Sequence, residues 1–194
     1  VGDSRVRAAS VEIEETNDCP FCDVYVIDVL VDNGNVPYTL RFYPADIAVT
    51  RHFVVTAPAP AFGITAFGRD VSVHASRESL LAAHPETMTD GFGDTIRFVG
   101  PETRHLRSIN ADAGTPDVFM TATVLSAKKR QNGITGVSHV QCLARTSGVV
   151  FDVILAGDAK PAEVPKPGMI LDGTFTLCGV LISKDAATSK GESE

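Results

Sequence analysis

A chain of 194 residues with 44% hydrophobic and 21% charged side chains can hide roughly 70% of its unfolded surface, so its stability needs no disulfide or metal. The net charge of −7 lies wholly in residues 1–115, where 9 Arg and no Lys stand against 16 Asp and Glu, while residues 116–194 balance 8 against 8. That distribution argues against general, sequence-independent nucleic-acid binding, which needs clustered positive charge to release counterions, and leaves room only for a local basic patch.

No apolar run approaches the roughly 20 residues of a membrane-spanning helix, and the first residues lack the apolar core of a secretory signal. Cys142 and Cys178 fall in strand-like runs and read as small buried hydrophobes, not as part of a secreted disulfide framework. The expectation is a cytoplasmic protein with no membrane association.

In chain order, residues 1–18 are polar and acidic, with Glu12, Glu14 and Glu15 around Val11 and Ile13, and read as a frayed arm or a short edge strand. Residues 23–32 form a β-branched run too stiff for a surface helix and are expected as a strand. Asn33-Gly34 supplies the positive φ angles of a tight hairpin turn, and Val36 to Tyr43 is its partner strand. A third, weaker strand is expected at Ile47 to Thr56. Phe62 to Gly68 alternates between glycines, and Val71 with Val73 makes a short strand. Ser76 as N-cap, Glu78 in the first turn and Pro85 as stop delimit one short helix. Thr95 to Val99 is a short strand, and 102–116, without any period, is a connection between two halves.

The second half is cleaner. Val118 to Lys128 is a strand, closed by Lys128-Lys129-Arg130-Gln131-Asn132-Gly133. Ser138 to Arg145 points Val140, Cys142 and Ala144 inward; Val149 to Ala156 returns with Val149, Phe151, Val153 and Leu155 on one face. After a proline-bearing connection, 167–182 is a long strand whose inner face carries Leu171, Gly173, Phe175, Leu177 and Gly179, the glycines acting as bend points. The fold class is therefore mainly β, a β-barrel or sandwich with one short helix. Strand count and length make the C-terminal half OB-like, with an open sandwich of both halves as the rival. The expected division is 1–115 as a β-rich N-terminal part, 116–183 as a barrel-like part and 184–194 as a disordered tail.

Three groups of residues could carry chemistry or binding. Cys19 and Cys22 form a Cys-x-x-Cys pair, the spacing of a redox dithiol or half a zinc site. A β run follows the pair, so no helix dipole lowers the first thiol's pKa, and no second close pair completes a zinc set. A tight turn before a strand is the plainer reading. Lys128, Lys129 and Arg130, with Arg145, could meet phosphates where an OB barrel has a ligand-contacting loop. Base stacking, however, needs exposed aromatics, and Phe119, Phe151 and Phe175 are all assigned inward. Asp172, on the polar face of the last strand, is a candidate partner contact. The five histidines show no metal-ligand spacing, and neither a nucleophile elbow nor a phosphate-binding loop is present. The expectation is a non-enzymatic protein without cofactor that binds a protein partner or a second copy of itself. A thiol or zinc protein, and oligonucleotide binding by the C-terminal half, are the alternatives.

Overall fold

The computed structural model describes residues 5–15, 23–29, 38–45, 61–83, 88–89, 95–96, 107–108, 116–146 and 149–182, with side chains described within 42–45, 61–83, 116–146 and 150–182. Eleven strands and one helix follow one another among them: β1 (Arg5–Glu15), β2 (Asp23–Val29), β3 (Tyr38–Pro44), β4 (Ala61–His74), α1 (Arg77–Ala83), β5 (Met88–Thr89), β6 (Thr95–Ile96), β7 (Arg107–Ser108), β8 (Asp117–Gln131), β9 (Ser138–Thr146), β10 (Val149–Leu155) and β11 (Ile170–Ile182). The expected strand at 47–56, the Asn33-Gly34 turn and the tail at 184–194 lie outside the described residues.

Alternation decides which face of each strand goes inside. Val118, Met120, Ala122 and Val124 of β8, Val140, Cys142 and Ala144 of β9, and Phe151, Val153 and Leu155 of β10 are all buried. Leu171, Phe175 and Leu177 of β11 meet Phe62, Ile64 and Ala66 of β4 in the same apolar cluster. Side chains of this kind contribute roughly 1.5–3 kcal/mol each when fully buried.

These faces close a five-stranded mixed barrel. β8, β9 and β10 form an antiparallel meander, β11 returns antiparallel beside β8, and β4 fills the gap, antiparallel to β11 and parallel to β10. β8 to β11 do not close on themselves: the sealing strand comes from ahead of residue 116. Closure, not an open sandwich, is how the inner faces of these five strands are removed from water.

The pairings return on themselves a second time. β1 pairs with β2, β2 with β3, β3 runs parallel to β11 at Cys178 and Gly179, and β1 reaches β4 at Arg5 to Arg7. The segment read as a frayed arm or a short edge strand contains an eleven-residue strand, held by β2 along most of its length and by β4 at its start. The ribbon of β4 and β11, paired from Ala61↔Ile182 to His74↔Ile170, belongs to both circuits.

Two glycines on that ribbon are required by what lies against them. Gly173 has φ 156°, and a Cβ there would overlap the Asp70 carbonyl oxygen and lie 2.8 Å from the Val71 Cα. At Gly179 a Cβ would overlap the ring of Phe42, which is fully buried and tilted against Phe62 with centroids 5.3 Å apart. The helix forms as its sequence dictates: the Ser79 N–H donates to Ser76 Oγ at 3.3 Å and the Ser76 N–H to Ser79 Oγ at 3.0 Å, a reciprocal cap. A hydrogen bond from Ser76, helped by the Glu78 backbone and by Arg77, holds the Glu78 carboxyl below the usual range. Leu80 is the helix residue buried at this end of β4.

Candidate functional site: a basic hairpin arm and the barrel face beside it

The β8–β9 hairpin runs past the point where the barrel core stops. A register shift between Val124 and Ser126 brings Ala127 inward opposite Cys142. Beyond it the alternation continues into solvent. Lys128 and Arg130 lie opposite Gln141 and His139 on the outer face, whereas Lys129 and Gln131 lie opposite Val140 and Ser138 on the other. Residues 128–137 are all exposed. The three consecutive cations stand within the strand, not in the loop where the sequence placed them. The strand reaches Gln131 because its backbone keeps pairing with Ser138 to Gln141.

The tip is fixed by its own hydrogen bonds. Asn132 Oδ1 accepts from the Ile134 N–H at 2.9 Å and the Thr135 N–H at 3.0 Å, an arrangement that asparagine favours in turns. The Gly136 N–H donates to the Asn132 carbonyl at 2.8 Å, Gln131 Nε2 donates to the Gly136 carbonyl at 2.8 Å, and Gly136 takes φ 72°. Ile134 is thereby held 98% exposed and Val137 53% exposed. Held on a fixed turn, this isoleucine buries almost none of its own surface. It loses little entropy on docking.

Electrostatically the arm differs from the rest of the chain. Between Asp117 and Asp152 there is no acidic residue, while Lys128, Lys129, Arg130 and Arg145 are all there. Lys160 adds to them, its Nζ donating to Ser138 Oγ at 3.1 Å. Lys129, Arg130, Gln131 and Ser138 line a shallow, open depression at the base of the arm.

The arm continues into the outer face of the barrel. Cross-strand registers set Lys128, Gln141, Ile154 and Phe67 in one row over β8, β9, β10 and β4. Ser126, Leu143, Asp152 and Thr65 make the next row, and Arg145 opposite Val150 lies one row further. Phe67 is 43% exposed. Asp152 accepts from Gln141 Nε2 at 3.3 Å. Phe67 escaped the sequence reading because it belongs to β4, outside the segment searched for aromatics. The inward parity of Phe62, Ile64 and Ala66 was the signal that would have pointed it out.

The other candidates stand elsewhere. Arg145 is exposed on the same outer face as Lys128 and Arg130 but lies four and six residues along β9 from their cross-strand partners, Gln141 and His139, so the structure sets them on one face and not side by side. Asp172 is only 4% exposed and accepts a hydrogen bond from the Thr121 hydroxyl across the β8–β11 pair. Its carboxylate is a buried polar group satisfied inside the sheet, not a surface contact. Phe151 and Phe175 point inward as expected, but Phe119 is half-buried on the opposite face, opposite Thr174 and Arg107. Asp117 ties three strands together, accepting from Thr176 Oγ1 at 2.6 Å and pairing with Arg69 at 3.0 Å.

Cys19 and Cys22, like His52, His84 and His105, lie outside the described residues. Among the described residues no group of three or more His, Cys, Asp or Glu could hold a metal. Cys142 and Cys178 are free thiols; burial pushes Cys142 up to about 11 and raises Cys178 as well. Native protein at pH 7–8 is therefore expected to modify Cys142 with a thiol reagent no faster than it unfolds, because the thiolate is the attacking species. Time-resolved labelling with mass readout checks this; prompt modification of Cys142 in native protein would contradict its burial.

With the geometry in hand, known proteins add nothing further. Comparison with protein families, characterised proteins and solved structures finds no match.

Proposed function

We propose that this is a non-enzymatic binding protein whose docking element is the β8–β9 arm, and that its partner is an anionic macromolecule. The observation that carries the reading is the arm itself: ten exposed residues, three consecutive cations on both faces of a two-stranded ribbon, and a fixed apolar tip. Local charge of this kind acts within about 8–10 Å at physiological ionic strength, so the acidic remainder of the chain does not cancel it.

Taking β8 as the first strand, the barrel runs first, second, third, then β4, then the fourth strand back to the first, with its parallel contact between β10 and β4. We read this as the OB pairing order with the closing strand supplied from upstream. In OB barrels, ligands meet the second and third strands and the loop after the first, which here are β9, β10 and the tip of the arm. Fold likeness alone assigns no function; the cations and the displayed isoleucine support the assignment here. The objection to a nucleic acid, that Phe119, Phe151 and Phe175 are all expected inward, is met by the outward Phe67.

Retention on immobilised heparin tests the arm. Wild-type protein, despite its net charge, is expected to be retained at low salt, and the triple variant Lys128→Glu, Lys129→Glu, Arg130→Glu to pass through. Ile134→Asp should weaken capture less than the triple charge reversal. All these side chains are exposed, so unfolding free energies should stay within about 0.5 kcal/mol of wild type. Equal retention of the triple variant and the wild type would refute the arm as the docking element.

A further inference from the structure

We propose that the outer face formed by β8, β9, β10 and β4 binds single-stranded nucleic acid, with Phe67 as a base-stacking platform and Lys128, Arg130 and Arg145 as phosphate contacts. The inference rests on the arm being a docking element and names the ligand class of that site.

The row Lys128, Gln141, Ile154, Phe67 crosses four adjacent strands, a span of about 14 Å at the usual strand separation. One end of it is cationic. The other is an exposed aromatic ring flanked by the half-buried Ile154, an apolar floor on which a base can lie flat. Binding single strands requires this pairing of a positive track with a π-face, since every base offers a face to stack and every nucleotide a phosphate to neutralise. An acidic protein surface would use the cations but has no need of a bare ring at the far end of the row. Asp152 is the acid in the rows that hold Phe67 and Thr65, and it already accepts from Gln141; further along the same face Asp117 is tied to Thr176 and Arg69, and the exposed Asp70 lies three residues beyond Phe67. Phosphates are therefore drawn to the arm side of the row and to Arg145, and bases to the Phe67 side. The open depression lined by Lys129, Arg130, Gln131 and Ser138 extends the cationic track around the arm to its other face.

The chain contains no tryptophan, which makes a direct reporter available. Phe67→Trp installs a single indole at the proposed platform. Its fluorescence is expected to be quenched by a 15-nucleotide oligo(dT) and left unchanged by polyglutamate of matched charge. Fluorescence anisotropy with the labelled oligonucleotide should show Phe67→Ala binding about tenfold or more weaker than wild type, Phe67→Tyr close to wild type, and the salt slope the same for all three. Lys128→Gln and Arg130→Gln should each reduce the slope of log K against log salt by about 0.7. Unfolding midpoints of the variants, matched to wild type, ensure that loss of binding is not loss of fold. Oligonucleotide binding indifferent to Phe67→Ala, an unquenched indole, or polyglutamate bound as tightly as oligo(dT) would each overturn the proposal. In the polyglutamate case an acidic protein would be the partner; in all three the arm would keep its role. Failure of every polyanion to bind would overturn both readings.

Discussion

Gly173→Ala is expected to cost about 2–5 kcal/mol of folding stability, the largest effect of any single methyl group placed on the barrel wall. Two penalties add at this position. The backbone holds φ 156°, which an L side chain rarely adopts, and the new Cβ would overlap the Asp70 carbonyl and crowd the Val71 Cα. Neither neighbour is the loose end of a side chain. Both belong to β4, which pairs with β11 on one side while β8 pairs with it on the other, so relief requires parting the ribbon. Urea unfolding followed by circular dichroism checks the prediction through the midpoint. A midpoint equal to that of wild type would mean that β11 is not clamped between β4 and β8 at Gly173.

Gly179→Ala acts through a side chain instead, and so should be partly reversible by a second change. A methyl at Gly179 collides with the buried Phe42 ring, where β3 joins β11 through Cys178↔Tyr43 and Gly179↔Pro44 and the Ala45 N–H donates to the Gly179 carbonyl at 2.9 Å. Overpacking of that kind costs about 1–3 kcal/mol. In a Phe42→Leu background, where the ring is gone, the same methyl should cost less by at least about 1 kcal/mol, a coupling measurable as a double-mutant cycle. Strict additivity of the two substitutions would show that the ring and the glycine are not in contact.

Much of this architecture was legible locally. The β8 to β10 meander, the inner face of β11 and the reciprocal Ser76 and Ser79 cap follow from alternation, turn residues and capping chemistry, all of which act between neighbours in sequence. What was not legible depends on distant partners. β4 reads as two fragments because Gly68, Arg69 and Asp70 look like a break. In the fold, Gly68 is the place where Leu155 and Val71 press closest, and Arg69 sits at a register shift between Thr174 and Phe175. The strand is continuous because β11 templates it. The site shows the same division. The cations were visible in the sequence, but their faces depend on the shift after Val124, and the aromatic that completes their row arrives from a different stretch of chain. Asp172 illustrates the converse: strand parity assigns its face correctly, yet Thr121 and the surrounding packing bury that face.

The shared ribbon also determines when the molecule can form. Its registers join Ala61 to Ile182 and His74 to Ile170, so both circuits wait for β11 to be made and to find a partner synthesised long before it. Loop closure over such separations is slow, and folds dominated by it assemble in milliseconds to seconds, not microseconds. Until then β4 carries an inward row of Phe62, Ile64 and Ala66 with no sheet to receive it.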